Sequence, residues 1–241
     1  ATPQVREVIS LFRDIANPDD RVREKAENRL ADIRPQEGFV PTLMSIASSP
    51  EGDDLTRKSA VCCLHEDVKS FYRSTAQADS IHPEDKKFFK NNIIEAIARG
   101  FKVETVGDTY REILKKVVEW DYPQNWSNLP QLVHDKLRGC TKVEELFGSL
   151  CALQSLVELR LKLDEVVGFK TFEERKALED LLELIFPSLE VLVENQIRSW
   201  SEDTASILYL VLKCFAGVTT IEIPDYFNPE FGSNNQRYKF W

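Results

Sequence analysis

Helix-start signals recur along this chain, and no run between them alternates apolar and polar residues for long enough to make a strand. Thr2-Pro3 sets a capping hydroxyl ahead of a proline at the first helical position. Asn17-Pro18-Asp19-Asp20 repeats the signal, with acids in the first turn, where the helix dipole favours them. His82-Pro83-Glu84-Asp85 does so again, which makes His82 a cap and not a base. Thr141-Lys142-Val143-Glu144 and Thr171-Phe172-Glu173-Glu174 are capping boxes, and Ser201-Glu202-Asp203 opens a last helix. About nine helical segments with short connectors follow, so the chain is expected to be all-α.

Apolar stripes at helical spacing locate the inner faces. A first helix over 3–16 carries Val5, Val8, Ile9 and Phe12; a second carries Ala26, Leu30 and Ile33 and ends at Pro35. A short helix spans 39–46, and Ser48 to Gly52 form a loop. The helix over 54–73 turns Ala60, Val61, Leu64, Val68 and Phe71 inward. The next has Phe89, Ile93, Ile94 and Ile97, and Gly100 is read as its closing glycine. Helices over 105–121 and 129–137 come next. Leu146, Phe147, Leu150, Leu153, Leu156 and Val157 cover more than one face, so their helix should be buried between neighbours. A long helix through Leu178, Leu182, Ile185, Leu189 and Val193 is kinked at Pro187. A strongly apolar helix spans 207–215.

Between two of these helices lies Glu119-Trp120-Asp121-Tyr122-Pro123-Gln124-Asn125-Trp126. Pro123 lacks a backbone donor and pushes Tyr122 out of the α region, so one helix stops near Asp121. Asn125 is a good N-cap for the next. Each of Trp120, Tyr122 and Trp126 can bury roughly 150–250 Å², so with Pro123 they form a structural corner wedged into the neighbouring helix pair. Pairs of helices spaced about 40–50 residues apart match HEAT and armadillo repeats, which stack into an α-α superhelix, a solenoid. Tyr238-Lys239-Phe240-Trp241 is no polar end cap, so the array is expected to continue.

The net charge of −9 disfavours direct nucleic-acid binding and suits basic protein partners. No apolar run reaches the roughly 18–20 residues that span a bilayer, so membrane insertion is not expected. The first residues, Ala1 to Glu7, are polar and unlike a signal peptide. Cys62, Cys63, Cys140, Cys151 and Cys214 are scattered and odd in number, and read as reduced core thiols. His65-Glu66-Asp67-Val68-Lys69 starts like a zinc-protease motif but lacks the second histidine, so no metal is expected. His134 beside Asp135 reads as a surface residue. There is no glycine-rich phosphate loop and no defensible nucleophile–base pair, so neither enzyme activity nor a cofactor is expected. Lys86-Lys87-Phe88-Phe89-Lys90 reads as a helix with Phe89 inward and lysines outward, or else as a protein-binding helix facing the inside of the arch.

Several of these stretches resemble importin-β-like nuclear transport receptors. Arg23-Glu24-Lys25-Ala26-Glu27-Asn28-Arg29-Leu30 is similar to that family's "AE..L" signature, Thr56-Arg57-Lys58-Ser59-Ala60 to its "R..A" helix, and His82-Pro83-Glu84-Asp85-Lys86 to its "eedK" helix start. Asp121-Tyr122-Pro123-Gln124-Asn125-Trp126 resembles the "DYP..W" corner, the most specific of the four. Phe172-Glu173-Glu174-Arg175 and the kink at Phe186-Pro187 are most like the importin-seven and importin-eight branch, and Ile223-Pro224-Asp225-Tyr226-Phe227 resembles the exportin that recycles importin-α.

The resemblance implies an N-terminal portion of a shuttling receptor, with residues 1–100 as the Ran-binding type of domain and 101–241 as further HEAT repeats. It implies Ran-GTP bound through inner helices, protein cargo of basic character in an acidic arch, and phenylalanine–glycine nucleoporins in grooves between outer helices. Passage between cytoplasm and nucleus through the nuclear pore follows. The expected Ran contacts are His65, Lys69, Lys86, Lys90 and Asn92. Leu64-His65-Glu66 departs from the family's Leu-Lys-Asn triplet; histidine supplies no fixed cation at pH 7, and Lys69, one turn on, can stand in. An exportin, or an unrelated HEAT-repeat scaffold, is the alternative.

Overall fold

A computed structural model describes residues 2–50, 52–74, 80–101, 103–140, 142–167, 207 and 209–214. Among the described residues up to 167, eight helices run in order: α1 (Pro3–Ile15), α2 (Asp20–Ile33), α3 (Phe39–Ala47), α4 (Asp54–Phe71), α5 (Pro83–Gly100), α6 (Glu104–Asp121), α7 (Leu129–Gly139) and α8 (Val143–Val167). Ile207 and residues 209–214 are also helical, and no strand occurs among the described residues. The capping box at Thr141 and everything expected of 168–206 and 215–241 lie outside the described residues.

The start signals act as capping chemistry requires. Thr2 Oγ1 accepts from the Val5 amide, Asp19 from Arg21, Asp53 from Thr56, and His82 Nδ1 from Glu84. Consecutive helices pair as α1 with α2, α3 with α4, α5 with α6, and α7 with α8. The pairs stack in two layers: α1, α3 and α5 in one, α4, α6 and α8 in the other. The second layer also meets the first where α8 packs on α5, which buries Leu150, Leu153 and Leu156 as the all-round apolar pattern demands.

Two glycines are there for close approach. Gly100 is the last residue of α5 and has no left-handed backbone, so it is not the expected closing glycine. Instead a β-carbon on it would stand 3.1 Å from the Gly107 amide nitrogen, where α5 crosses the start of α6. On α8, a β-carbon at Gly148 would overlap the Ile94 carbonyl oxygen and reach within 3.1 Å of the Ala98 amide nitrogen. Gly148→Ala therefore forces α5 and α8 apart and is expected to cost about 1–3 kcal/mol, read as a lower urea midpoint at unchanged m-value. An unchanged midpoint would show that the two helices part freely.

Helix α3 is gripped at both ends. Buried Asp85, from the first turn of α5, accepts from the amides of Gly38 (2.8 Å) and Val40 (2.9 Å) at the α3 N-terminus. Buried Arg57, from α4, donates to the Ala47 carbonyl (3.1 Å) at the C-terminus. An anion at the positive end and a cation at the negative end both complement the helix dipole. This lets a nine-residue helix, too short to persist alone, sit buried.

Two expectations about single residues are corrected. His134 is buried on the α7 face that packs on α8, because it borders the stripe of Leu129, Val133 and Leu137. Cys62 is exposed and not a core thiol; Cys63 and Cys140 are half-buried, and Cys151 and Cys214 are buried. Burial pushes the thiols of Cys63, Cys151 and Cys214 up to about 12, so these sit as neutral thiols.

Candidate functional site

Helix α6 ends at Asp121, and Tyr122 is extended (φ −86°, ψ 137°), as a following proline requires. The Asn125 amide bonds back to the Asp121 carbonyl at 2.7 Å, and the turn carries Trp126 into the core, 2% exposed. The next helix starts at Leu129 after Asn128, not near Asn125. The reason is local: Pro130 fits only the first turn of a helix, and Asn125 is already used in the turn that seats Trp126.

Three helix ends meet at this corner. The Asp121 carboxylate, 8% exposed, accepts from the Tyr72 hydroxyl at 2.5 Å and pairs with Lys90 Nζ at 2.5 Å. Lys90 also donates to the Asn125 carbonyl (3.0 Å) and lies 5.9 Å over the Trp126 ring. Trp120 stacks on Tyr72 with ring centres 5.7 Å apart, and Lys86 Nζ sits 5.0 Å over Tyr72. Burial, and then the neighbouring carboxylate, push the Tyr72 phenol well above the usual tyrosine range. Burial pulls the Lys86 ammonium below the usual lysine value, while Asp121 opposes that pull. An open cleft of about 720 Å³ lies over this network, with Arg73 and Lys87 on its rim.

The expected contact residues do not share one surface. Lys86 and Lys90 join Trp120 and Trp126 in the cleft, while Tyr122 and Pro123 form the turn behind it. Asn92 lies elsewhere on α5, donates to its own helix at the Phe88 carbonyl (2.7 Å), and lines a separate depression with Val5, Ile9 and Met44. His65, on α4, lies in the other layer, its ring 3.4 Å from Glu66 and 3.8 Å from Glu112 of α6. Lys69 is exposed and 4.0 Å from Glu66. Periodicity did not reveal Tyr72, Arg73 or the double duty of Asp121; the aspartate at the head of the proline corner was the only usable signal. Among the described residues no trio of His, Cys, Asp or Glu is placed to hold a metal, and no helix is long and apolar enough to cross a membrane.

Residues 26–99 match the importin-beta N-terminal domain. The chain is 22% identical over 227 residues to a probable importin-7 homologue of Dictyostelium discoideum, across 91% of this chain and 20% of the relative. It is 24% identical over 219 residues to the importin beta-like SAD2 homologue of Arabidopsis thaliana, across 89% of this chain and 20% of the relative. The chain is similar to importin-β-like proteins. It spans about a fifth of the length of these curated relatives. The exportin Cse1 in its cargo-free, cytoplasmic state superposes on it with a TM-score of 0.74 at 15% identity, over 95% of this chain and 24% of that one. The fold is thus the all-α HEAT-repeat solenoid expected from the sequence.

In this importin-β-like chain the signature residues hold helices together. Ala26 and Leu30 are buried in α2, Arg57 and Asp85 clamp α3, and Asp121 and Trp126 close the corner.

Proposed function

We propose that the chain is the N-terminal part of a nuclear transport receptor of the importin type, which binds Ran-GTP through its first HEAT repeats and carries protein cargo through the nuclear pore. The match of residues 26–99 to the importin-beta N-terminal domain supports this reading, because that segment holds His65, Lys69, Lys86, Lys90 and Asn92. The division falls near residue 100, with the Ran-binding type of domain before it and further repeats after it. Lys69, exposed on the α4–α6–α8 layer, supplies the cation that His65 lacks. The depression between α1, α3 and α5, beside partly exposed Phe88, suits phenylalanine side chains of nucleoporin repeats. The work is coupling and not catalysis: Ran and cargo exclude each other with a coupling free energy of about 1–3 kcal/mol.

Ran locked in its GTP and GDP forms, offered to the immobilised chain, tests the reading. Retention of the GTP form alone is expected. Equal retention of both forms, or of neither, by a helical and cooperatively melting chain rejects it. Addition of cargo then sets direction: mutual exclusion marks an importin, and joint retention an exportin.

A further inference from the structure

We propose that the cleft over Tyr72, Trp120 and Trp126 is a docking site for an acidic, extended segment of a partner protein. Overall charge makes the chain a partner for basic proteins, but this cleft has the opposite local sign. Lys86, Lys87 and Lys90 face it from α5 and Arg73 from just past the end of α4, and among the described residues Asp121 is the only carboxylate in its lining. Asp121 is already engaged by Tyr72 and Lys90. Lys87 is 72% exposed and only loosely paired with Glu84 at 3.9 Å. Arg73 is exposed and has no ion-pair partner among the described residues. Lys86 is partly desolvated over the Tyr72 ring, so an arriving anion restores what burial removes.

The aromatic side chains decide between peptide and nucleic acid. A single-stranded nucleic acid needs open ring faces on which bases stack. Here Tyr72 is 4% exposed and Trp126 is 2% exposed, one stacked on Trp120 and covered by Lys86, the other under Lys90. The Tyr72 and Trp126 rings hold the ammonium groups in place and are not offered to a ligand, and half-buried Trp120 already gives one face to Tyr72. A chain of net charge −9 also disfavours a long polyphosphate, which would run beyond the cleft. A short acidic peptide meets Arg73, Lys86 and Lys87, whose charges Asp121 does not take up, and stays within the cleft. The cleft shares Lys86 and Lys90 with the Ran reading, but no GTPase takes part in its test and the variants that decide it spare both lysines, so the two can fail separately.

Fluorescence anisotropy of a labelled Glu/Asp-rich dodecapeptide with the chain, at low and at physiological salt, tests the proposal. Binding is expected, and it should weaken as salt rises. The double variant Arg73→Glu/Lys87→Glu changes exposed side chains only and should weaken binding at least tenfold. Arg21→Glu/Lys25→Glu makes the same charge change on exposed residues of α2 and should weaken it less than threefold. Circular dichroism confirms that both variants stay helical. Equal losses in the two variants, no peptide binding at low salt, or an oligouridylate that outcompetes the peptide would each overturn the assignment.

Discussion

Replacing Trp126 with Ala is expected to destabilise the folded chain by about 3–5 kcal/mol. The indole is 2% exposed at the point where the α6–α7 turn meets the core, so truncation leaves a cavity that the surrounding helix ends cannot collapse to fill. It also strips the ring from beneath Lys90, a contact worth about 0.5–2 kcal/mol, and so loosens the lysine that neutralises Asp121. For a chain of this size each kcal/mol moves the melting temperature by roughly 2–4 °C, so a drop on the order of 10 °C should be seen. Trp126→Phe separates packing from polarity. The indole N–H has no acceptor among the described residues, so phenylalanine removes an unsatisfied donor while keeping most of the apolar volume. Its cost should be well below that of alanine. A melting temperature for Trp126→Ala within a degree of the parent would remove the corner from its structural role.

Arg34→Ala is expected to cost about 3–5 kcal/mol at pH 8 and distinctly less at pH 5. Arg34, just past α2, lies 2.7 Å from the Asp67 carboxylate of α4; the two meet the distance of an ion pair but not the alignment of a hydrogen bond. Asp67 is 2% exposed, and burial pushes its carboxyl up to about 6 while the guanidinium resists. The folded value lies above the unfolded one of about 3.9, so the folded chain keeps this proton to higher pH. Its contribution to stability is therefore full below about pH 4 and is lost as pH rises through about 6. Without Arg34 the folded value climbs further, so the penalty of an unpaired buried carboxylate is largest at high pH and fades as the group takes a proton. Urea melts at pH 5 and pH 8 read the difference, and adding Asp67→Asn to Arg34→Ala should restore part of the loss at pH 8. A cost that is the same at both pH values would mean that Asp67 does not change its protonation between them. The contact of Arg34 over the Phe71 ring, 4.9 Å away, supplies a pH-independent remainder.

Both sites show how far one dimension carries. Residue spacing alone determined the all-α class, the helix pairs, the inward faces at Ala26, Leu30, Val61, Leu64, Ile93 and Ile97, and the stop at Asp121, because apolar period and capping chemistry act within a turn or two of chain. It also carried the likeness to the importin-β receptors, since the signature residues are those that clamp one helix to the next. Only the tertiary structure decided what the polar residues at the borders of those faces do. Asp85 and Arg57 hold α3 from helices 45 and 10 residues away in sequence, Asp121 reaches back 49 residues to Tyr72, and His134 goes inside. A carboxylate at a stripe's edge reads the same whether it meets water or a buried hydroxyl. Which of the two it meets depends on the neighbouring repeat, and no local period encodes that.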